Sequence, residues 1–233
     1  MQSQDNKPLK SATSPARIEI DQLLACYDAL LLDAYGVLVN KSGPLPGATS
    51  LIDRLNHMDY SYLVLTNSAS HLPETMARQF VEIGLNIPAE RFLTSGSLLS
   101  PYFREYGLVG TRCVVLGTEE SAAYVSQAGG RVVPLSDTID VEVVVLADQQ
   151  GFPLMEYMNL LLSLVIRQMD QDNTPHLLLC NPDLLYPVAH GRYAFTAGGL
   201  AAMLEAVINE RYAESKARFV RLGKPLPLCS KRP

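Results

Sequence analysis

Three short segments carry side chains that together could move a phosphoryl group. Leu31-Leu-Asp33-Ala-Tyr35-Gly-Val-Leu38 follows an apolar run with a carboxylate, Val64-Leu-Thr66-Asn67-Ser68 follows one with a hydroxyl and an amide, and Leu222-Gly-Lys224-Pro225 presents an ammonium. A carboxylate can attack phosphorus and form an aspartyl phosphate. A hydroxyl and backbone N–H groups can hold the equatorial oxygens while a lysine neutralises their charge. A hard divalent cation such as Mg²⁺ normally sits between carboxylate and phosphate in such chemistry. Gly36 suits a sharp turn just past the carboxylate. Taken singly, each segment has a plainer reading. Asp33 could be a turn former, Thr66-Asn67-Ser68 a turn and helix cap, and Lys224-Pro225 an exposed loop. Their joint occurrence, each after an apolar strand, favours one shared crevice.

Such groups meet only if the segments before them are strands of one sheet. Residues 29–33 form a continuous apolar run ending in Asp, the profile of a strand buried on both faces. Further strands are expected at 62–65 and 91–94. Helices are expected at 47–58 (Ala48, Leu51, Ile52 and Leu55 inward), at 73–83 (Met76, Phe80 and Ile83 on one stripe, Gly84 as C-terminal cap) and at 98–106. A second series has strands at 113–116, 131–133, 141–146, 176–180 and 219–222. Its helices are at 119–128, 153–169 and 198–211, the last with Leu200, Met203, Leu204, Val207 and Ile208 inward. Alternating βα units predict an α/β fold with a Rossmann-like parallel sheet, whose ligands bind at the carboxyl ends of the strands. The sequence has no GxGxxG, GxxxxGK or GxSxG motif, against a dinucleotide enzyme, a P-loop nucleotide hydrolase and a serine hydrolase.

Composition narrows the partners. The 233 residues are 48% hydrophobic and 18% charged, with a net charge of −5, enough apolar material for a sizeable core. An acidic chain is a poor partner for nucleic acid or anionic lipid. No apolar run reaches the ~18 residues of a membrane helix. Residues 1–17 are polar and read as a floppy tail rather than a secretory signal. Cys26, Cys113, Cys180 and Cys229 are too far apart in sequence for a metal knuckle or redox pair, and read as buried reduced thiols of a cytoplasmic protein.

The sequence resembles the haloacid dehalogenase-like (HAD) hydrolase superfamily, and more narrowly its nitrophenylphosphatase-like subfamily, in which an α/β cap is inserted into the core. The matching pieces are Asp33-Ala-Tyr-Gly-Val-Leu38, Pro44-Leu-Pro-Gly47, Leu65-Thr-Asn67, Arg91-Phe-Leu-Thr-Ser95, Cys180-Asn-Pro-Asp183, Thr196-Ala-Gly-Gly199 and Gly223-Lys-Pro225. The resemblance implies a tail at 1–20, a discontinuous core at 21–105 and 188–233, and a cap at 106–187. It implies Asp33 as nucleophile and Mg²⁺ ligand, with the Tyr35 backbone carbonyl as a second ligand. Thr66 and the N–H of Asn67 would hold phosphoryl oxygens, and Lys224 would pair with nucleophile and phosphate. Asn181 and Asp183 would stand near the cap junction where substrate is selected, although Asn-Pro-Asp also reads as a tight turn. The expected partner is a small phosphorylated metabolite.

Two departures qualify this expectation. The family usually has a second Asp two residues after the nucleophile as general acid–base, where this chain has Tyr35. A phenol, with a reference pKa near ~10, can donate a proton at neutral pH but is a poor base. Weak phosphatase activity, or a slowly turning-over phosphoenzyme, is expected. The second departure lies past Lys224, where the family continues with a helix, a buried strand and an acidic Gly-Asp motif. The residues after Pro227 do not resemble these, and the chain reads as clipped. The strand at 29–33 would then lack a neighbour on one side, predicting marginal stability or self-association through that edge or through the cap. The alternatives are a non-catalytic module binding phosphate ligands or a protein, and an inactive remnant.

Overall fold

The computed structural model describes residues 18–188, 191–212 and 217–225. The rest of the expected tail, Cys229 and the segment after Pro225 lie outside these residues. The chain begins with α1 (Ile20–Cys26), β1 (Ala29–Asp33), a small hairpin of β2 (Val39–Asn40) and β3 (Gly43–Pro44), and α2 (Ala48–His57). It continues through β4 (Ser61–Thr66), α3 (Pro73–Glu82), β5 (Phe92–Thr94) and α4 (Leu99–Glu105). A second series follows: β6 (Arg112–Leu116), α5 (Glu119–Gln127), β7 (Arg131–Val132), β8 (Val143–Leu146), α6 (Leu154–Met169) and β9 (His176–Leu179). The last elements are a hairpin of β10 (Leu185–Pro187) and β11 (Tyr193–Phe195), then α7 (Ala197–Arg211) and β12 (Val220–Arg221).

The strands form two parallel sheets. The smaller has the order β1-β4-β5, with Asp33 opposite Leu65 and Thr66 opposite Thr94. This register puts the carboxylate and the hydroxyl at the same end of adjacent strands. The larger has the order β12-β9-β8-β6-β7. β8 is buried at every position, as expected for a central strand covered by helices on both faces. The two hairpins were not foreseen, because strands of two or three residues have too little periodicity to be read from sequence.

Local chemistry fixes the element ends. α3 starts on Pro73, whose missing N–H costs nothing in the first turn, and stops before Gly84, which has φ +85°. α5 is held at its start by a capping box in which Thr118 Oγ1 accepts from the Ser121 N–H at 3.2 Å and Ser121 Oγ accepts from the Thr118 N–H at 3.1 Å. The smaller sheet packs on α2 and α3 through Ile52, Leu55, Val64, Met76, Phe80 and Phe92. The larger packs on α6 and α7 through Val144, Leu146, Leu161, Val165, Leu200 and Leu204.

Several expectations are corrected. β1 is not buried on both faces: it lies at the sheet edge, and Leu31 is 66% exposed. Leu30 and Leu32 pack towards α2 and α3, whereas Leu31 and its partner Leu63 lie on the face left open by the described residues. Leu51 is only half-buried, and Ile83, Met203 and Val207 are exposed, because the buried stripes are narrower than the apolar pattern. Cys113 and Cys180 are buried and free, but Cys26 is exposed. α7 packs on the larger sheet and β12 pairs with β9 in it, so Lys224 reaches the site from that sheet's edge.

Candidate active site

The carboxyl ends of both sheets open onto one pocket of about 580 Å³. Asp33 and Thr66 come from the ends of β1 and β4, while Asp148, Asn181 and Lys224 lie just past β8, β9 and β12. All seven residues singled out in the sequence (Asp33, Tyr35, Thr66, Asn67, Asn181, Asp183 and Lys224) line this pocket.

The central contact is an ion pair from Lys224 Nζ to Asp33 Oδ1, between residues 191 positions apart. The Leu65 carbonyl also accepts from Nζ, at 3.3 Å. The second Asp33 oxygen forms no hydrogen bond or ion pair among the described residues, and Asp33 lines the pocket where an electrophile could approach. Thr66 Oγ1 accepts from the Ser68 N–H at 3.1 Å, which orients the hydroxyl and leaves its own proton to donate.

The expectation for Asn67 concerned its backbone N–H; its side chain makes contacts that the sequence did not reveal. Its side chain is a bracket: Oδ1 accepts from the Lys224 N–H at 2.8 Å, and Nδ2 donates to the Lys224 carbonyl at 3.0 Å and to Asp183 Oδ2 at 3.1 Å. This ties the end of β4 to the lysine loop and to the turn after β9. Gly223 makes the bracket sterically possible, since it has φ +100° and an added Cβ would stand 2.6 Å from Asn67 Oδ1.

Asn181-Pro182-Asp183 is both a turn and a contact. Asn181 Oδ1 accepts from the Asp183 N–H at 3.1 Å, an Asx turn, while the Asp183 side chain reaches Asn67. Thr196 Oγ1 donates to the Asp183 carbonyl, and a Cβ on Gly198 would stand 2.3 Å from that same carbonyl oxygen. The Thr196-Ala-Gly-Gly199 segment therefore lets the start of α7 sit directly against the turn.

Tyr35 points away from a general acid–base role. It is 40% exposed, and its hydroxyl donates to the Pro187 carbonyl at 3.1 Å, joining the β1 loop to the β10–β11 hairpin.

Residues given no site role in the sequence brace the loop after Thr66. Ser95 Oγ donates to the carbonyls of Asn67 (2.8 Å) and Ser68 (3.1 Å). From α5, Ser121 Oγ donates to the Ala69 carbonyl at 2.8 Å, Thr118 Oγ1 to that of Ser70 at 2.6 Å and Tyr124 Oη to that of His71 at 2.7 Å. Burial pushes the Tyr124 phenol up to about 12, so it stays a donor at ordinary pH. Glu120 accepts from the Leu72 N–H at 2.5 Å and the Thr75 hydroxyl at 2.8 Å, with His71 Nδ1 3.6 Å away. Partial burial pushes the Glu120 carboxyl up, but these donors and His71 outweigh it, and its pKa ends below the ordinary range. Asp148 was also missed. The strand-end rule that selected Asp33 and Thr66 would have selected it, since it lies two residues past β8.

The protein donors suited to a hard cation here are the Asp33 carboxylate and the Tyr35 backbone carbonyl, which accepts no hydrogen bond among the described residues. No cluster of three or more His, Cys, Asp or Glu that could hold a metal occurs among the described residues. This sparse oxygen set fits an ion that keeps several waters and shares a phosphate, as Mg²⁺ does.

The fold and the site define the class. A family model described as haloacid dehalogenase-like hydrolase matches residues 30–131. A possible sugar phosphatase of the HAD superfamily from Cytophaga hutchinsonii is 31% identical over 90% of this chain and 72% of that one, with a TM-score of 0.75. The chain belongs to the HAD superfamily. It also shares the fold of a double mutant of the thermostable NPPase from Geobacillus stearothermophilus, with a TM-score of 0.68 at 20% identity over 87% of this chain and 72% of that one. Among curated relatives, a dihydroxyacetone phosphatase from Corynebacterium glutamicum is 26% identical over 85% of this chain. The match spans 65% of that relative's length. No helix of the described residues is long and apolar enough to cross a membrane.

Proposed function

We propose that the chain is a Mg²⁺-dependent phosphohydrolase acting on a small sugar or polyol phosphate through an aspartyl phosphate on Asp33. The observation that carries this reading is the Lys224–Asp33 pair beside the Thr66 hydroxyl on one pocket wall. The free Asp33 oxygen attacks phosphorus, the bond from phosphorus to the ester oxygen breaks, and that oxygen takes a proton from solvent. Water then attacks phosphorus, releases phosphate and restores Asp33. Lys224 and Thr66 offset and hold the negative oxygens throughout. A divalent cation at Asp33 and the Tyr35 carbonyl would supply further charge neutralisation between carboxylate and phosphate. Asn181 and Asp183 face the leaving group.

Turnover is slow in this reading, because the Tyr35 hydroxyl bonds to Pro187 and offers no base to the attacking water. The non-catalytic alternative has less support, since nucleophile, hydroxyl and lysine are all brought together. The test is hydrolysis of p-nitrophenyl phosphate and of sugar phosphates with Mg²⁺ and with chelator, in the parent chain and in Asp33→Asn. Slow, metal-dependent release of phosphate that Asp33→Asn abolishes is expected, together with a beryllofluoride adduct on Asp33. Hydrolysis surviving Asp33→Asn would refute the nucleophile assignment.

A further inference from the structure

The pocket has a second wall that the phosphoryl chemistry does not use. It is built just past β8, where Asp148 is 5% exposed yet lines the pocket. The Asp148 carboxylate accepts the Gln150 N–H at 2.9 Å and has no ion pair among the described residues. Burial raises its pKa from the ordinary carboxylate range. Beside it, the buried side-chain oxygen of Gln149, another lining residue, has no hydrogen-bond partner among the described residues. A buried acceptor is costly to leave unpaired, a cost that a ligand donor would relieve.

The charge on the pocket wall restricts that ligand. Its described lining residues include three carboxylates (Asp33, Asp148 and Asp183) and a single cation, Lys224, already paired with Asp33. A substrate's phosphoryl group would face Lys224. A second anionic group on the leaving part would meet Asp148 with no lining cation to offset it, since His71, whose charge also acts on Asp148, does not line the pocket. Hydroxyl groups, by contrast, can donate to Asp148, and to the buried Gln149 oxygen after a side-chain rotation that brings it to the pocket surface.

We propose that Asp148 and Gln149 form the leaving-group recognition wall, selecting a neutral, hydroxyl-bearing leaving group and rejecting one with a second anion. The proposal rests on the phosphohydrolase reading for the orientation of the ester. It is tested by calorimetric binding at pH 8 with Mg²⁺, using glycerol 3-phosphate and 3-phosphoglycerate, which differ by a hydroxymethyl group against a carboxylate. Hydrolysis of both is followed in parallel. The parent chain is expected to bind glycerol 3-phosphate roughly tenfold or more tightly than the acid, since a like-charge contact is strongly unfavourable. Asp148→Asn should bring that ratio towards unity, and Asp148→Glu should restore it. Gln149→Leu should weaken glycerol 3-phosphate more than the acid. Because each ratio is measured on one preparation, it does not depend on how much of a variant folds. Equal affinities in the parent chain, a ratio unmoved by Asp148→Asn, or no binding of either ester would overturn the proposal. Binding with the expected ratio but no turnover would refute the phosphohydrolase reading and leave the recognition wall standing.

Discussion

In the proposed reaction, Tyr35 is where a single side chain should matter most. Its hydroxyl reaches the Pro187 carbonyl rather than the space beside Asp33, so two substitutions should separate its roles. Tyr35→Asp should raise kcat by about ten- to a hundredfold, within the ~10²–10⁴ that a positioned acid–base group typically contributes. Tyr35→Phe should leave kcat within about threefold, because the phenol transfers no proton to water in the proposed mechanism. A large fall in kcat for Tyr35→Phe in a steady-state assay would instead make the hydroxyl catalytic. Gly223 is the other sensitive position. Gly223→Ala puts a Cβ against Asn67 Oδ1 at positive φ, at a cost of about 1–2 kcal/mol for the left-handed backbone alone. Its unfolding midpoint should fall, and activity should fall further as the lysine loop leaves the Asn67 bracket.

At the scale of elements, the start of α5 holds the loop after β4. Glu120 contributes through its ionised form, whose folded pKa is lowered. That contribution is present above the ordinary carboxylate pKa and is lost as pH falls through the lowered folded value. Urea unfolding of the parent chain should therefore show stability dropping across this acid range, and Glu120→Gln should flatten that part of the profile. An unchanged slope would place the acid sensitivity elsewhere. The helices and longer strands were legible because β-branched runs, the Pro73 start and the Gly84 stop are local signals. The β10–β11 hairpin, which supplies Pro187 to Tyr35, was not, because so short a pair is specified by what it packs against.

Across the whole molecule, the carboxyl ends of both sheets open onto the pocket, and ligand binding there should stabilise the chain. Inorganic phosphate with Mg²⁺ should raise the thermal unfolding midpoint of the parent chain, since a ligand at 100 times its Kd adds about 2.7 kcal/mol. Lys224→Ala should remove most of that rise. Leu31 on the edge strand β1 and its partner Leu63 on β4 lie on a face left open by the described residues, and pairing of a second copy across that edge is the expectation to test. Sedimentation should show concentration-dependent association, reduced in Leu31→Lys. A strictly monomeric parent chain at high concentration would argue against it.

The sequence by itself determined the parallel α/β class and the residues Asp33, Thr66 and Lys224, because buried strands, turn glycines and polar groups at strand ends leave short-range signatures. Only the tertiary structure decided which sheet carries Lys224, that the Asn67 side chain clamps the lysine loop, that Tyr35 bonds to Pro187 and that Asp148 shares the pocket. Those outcomes depend on contacts between segments far apart in the chain. An apolar run or an Asn reads the same locally whether or not such a neighbour arrives.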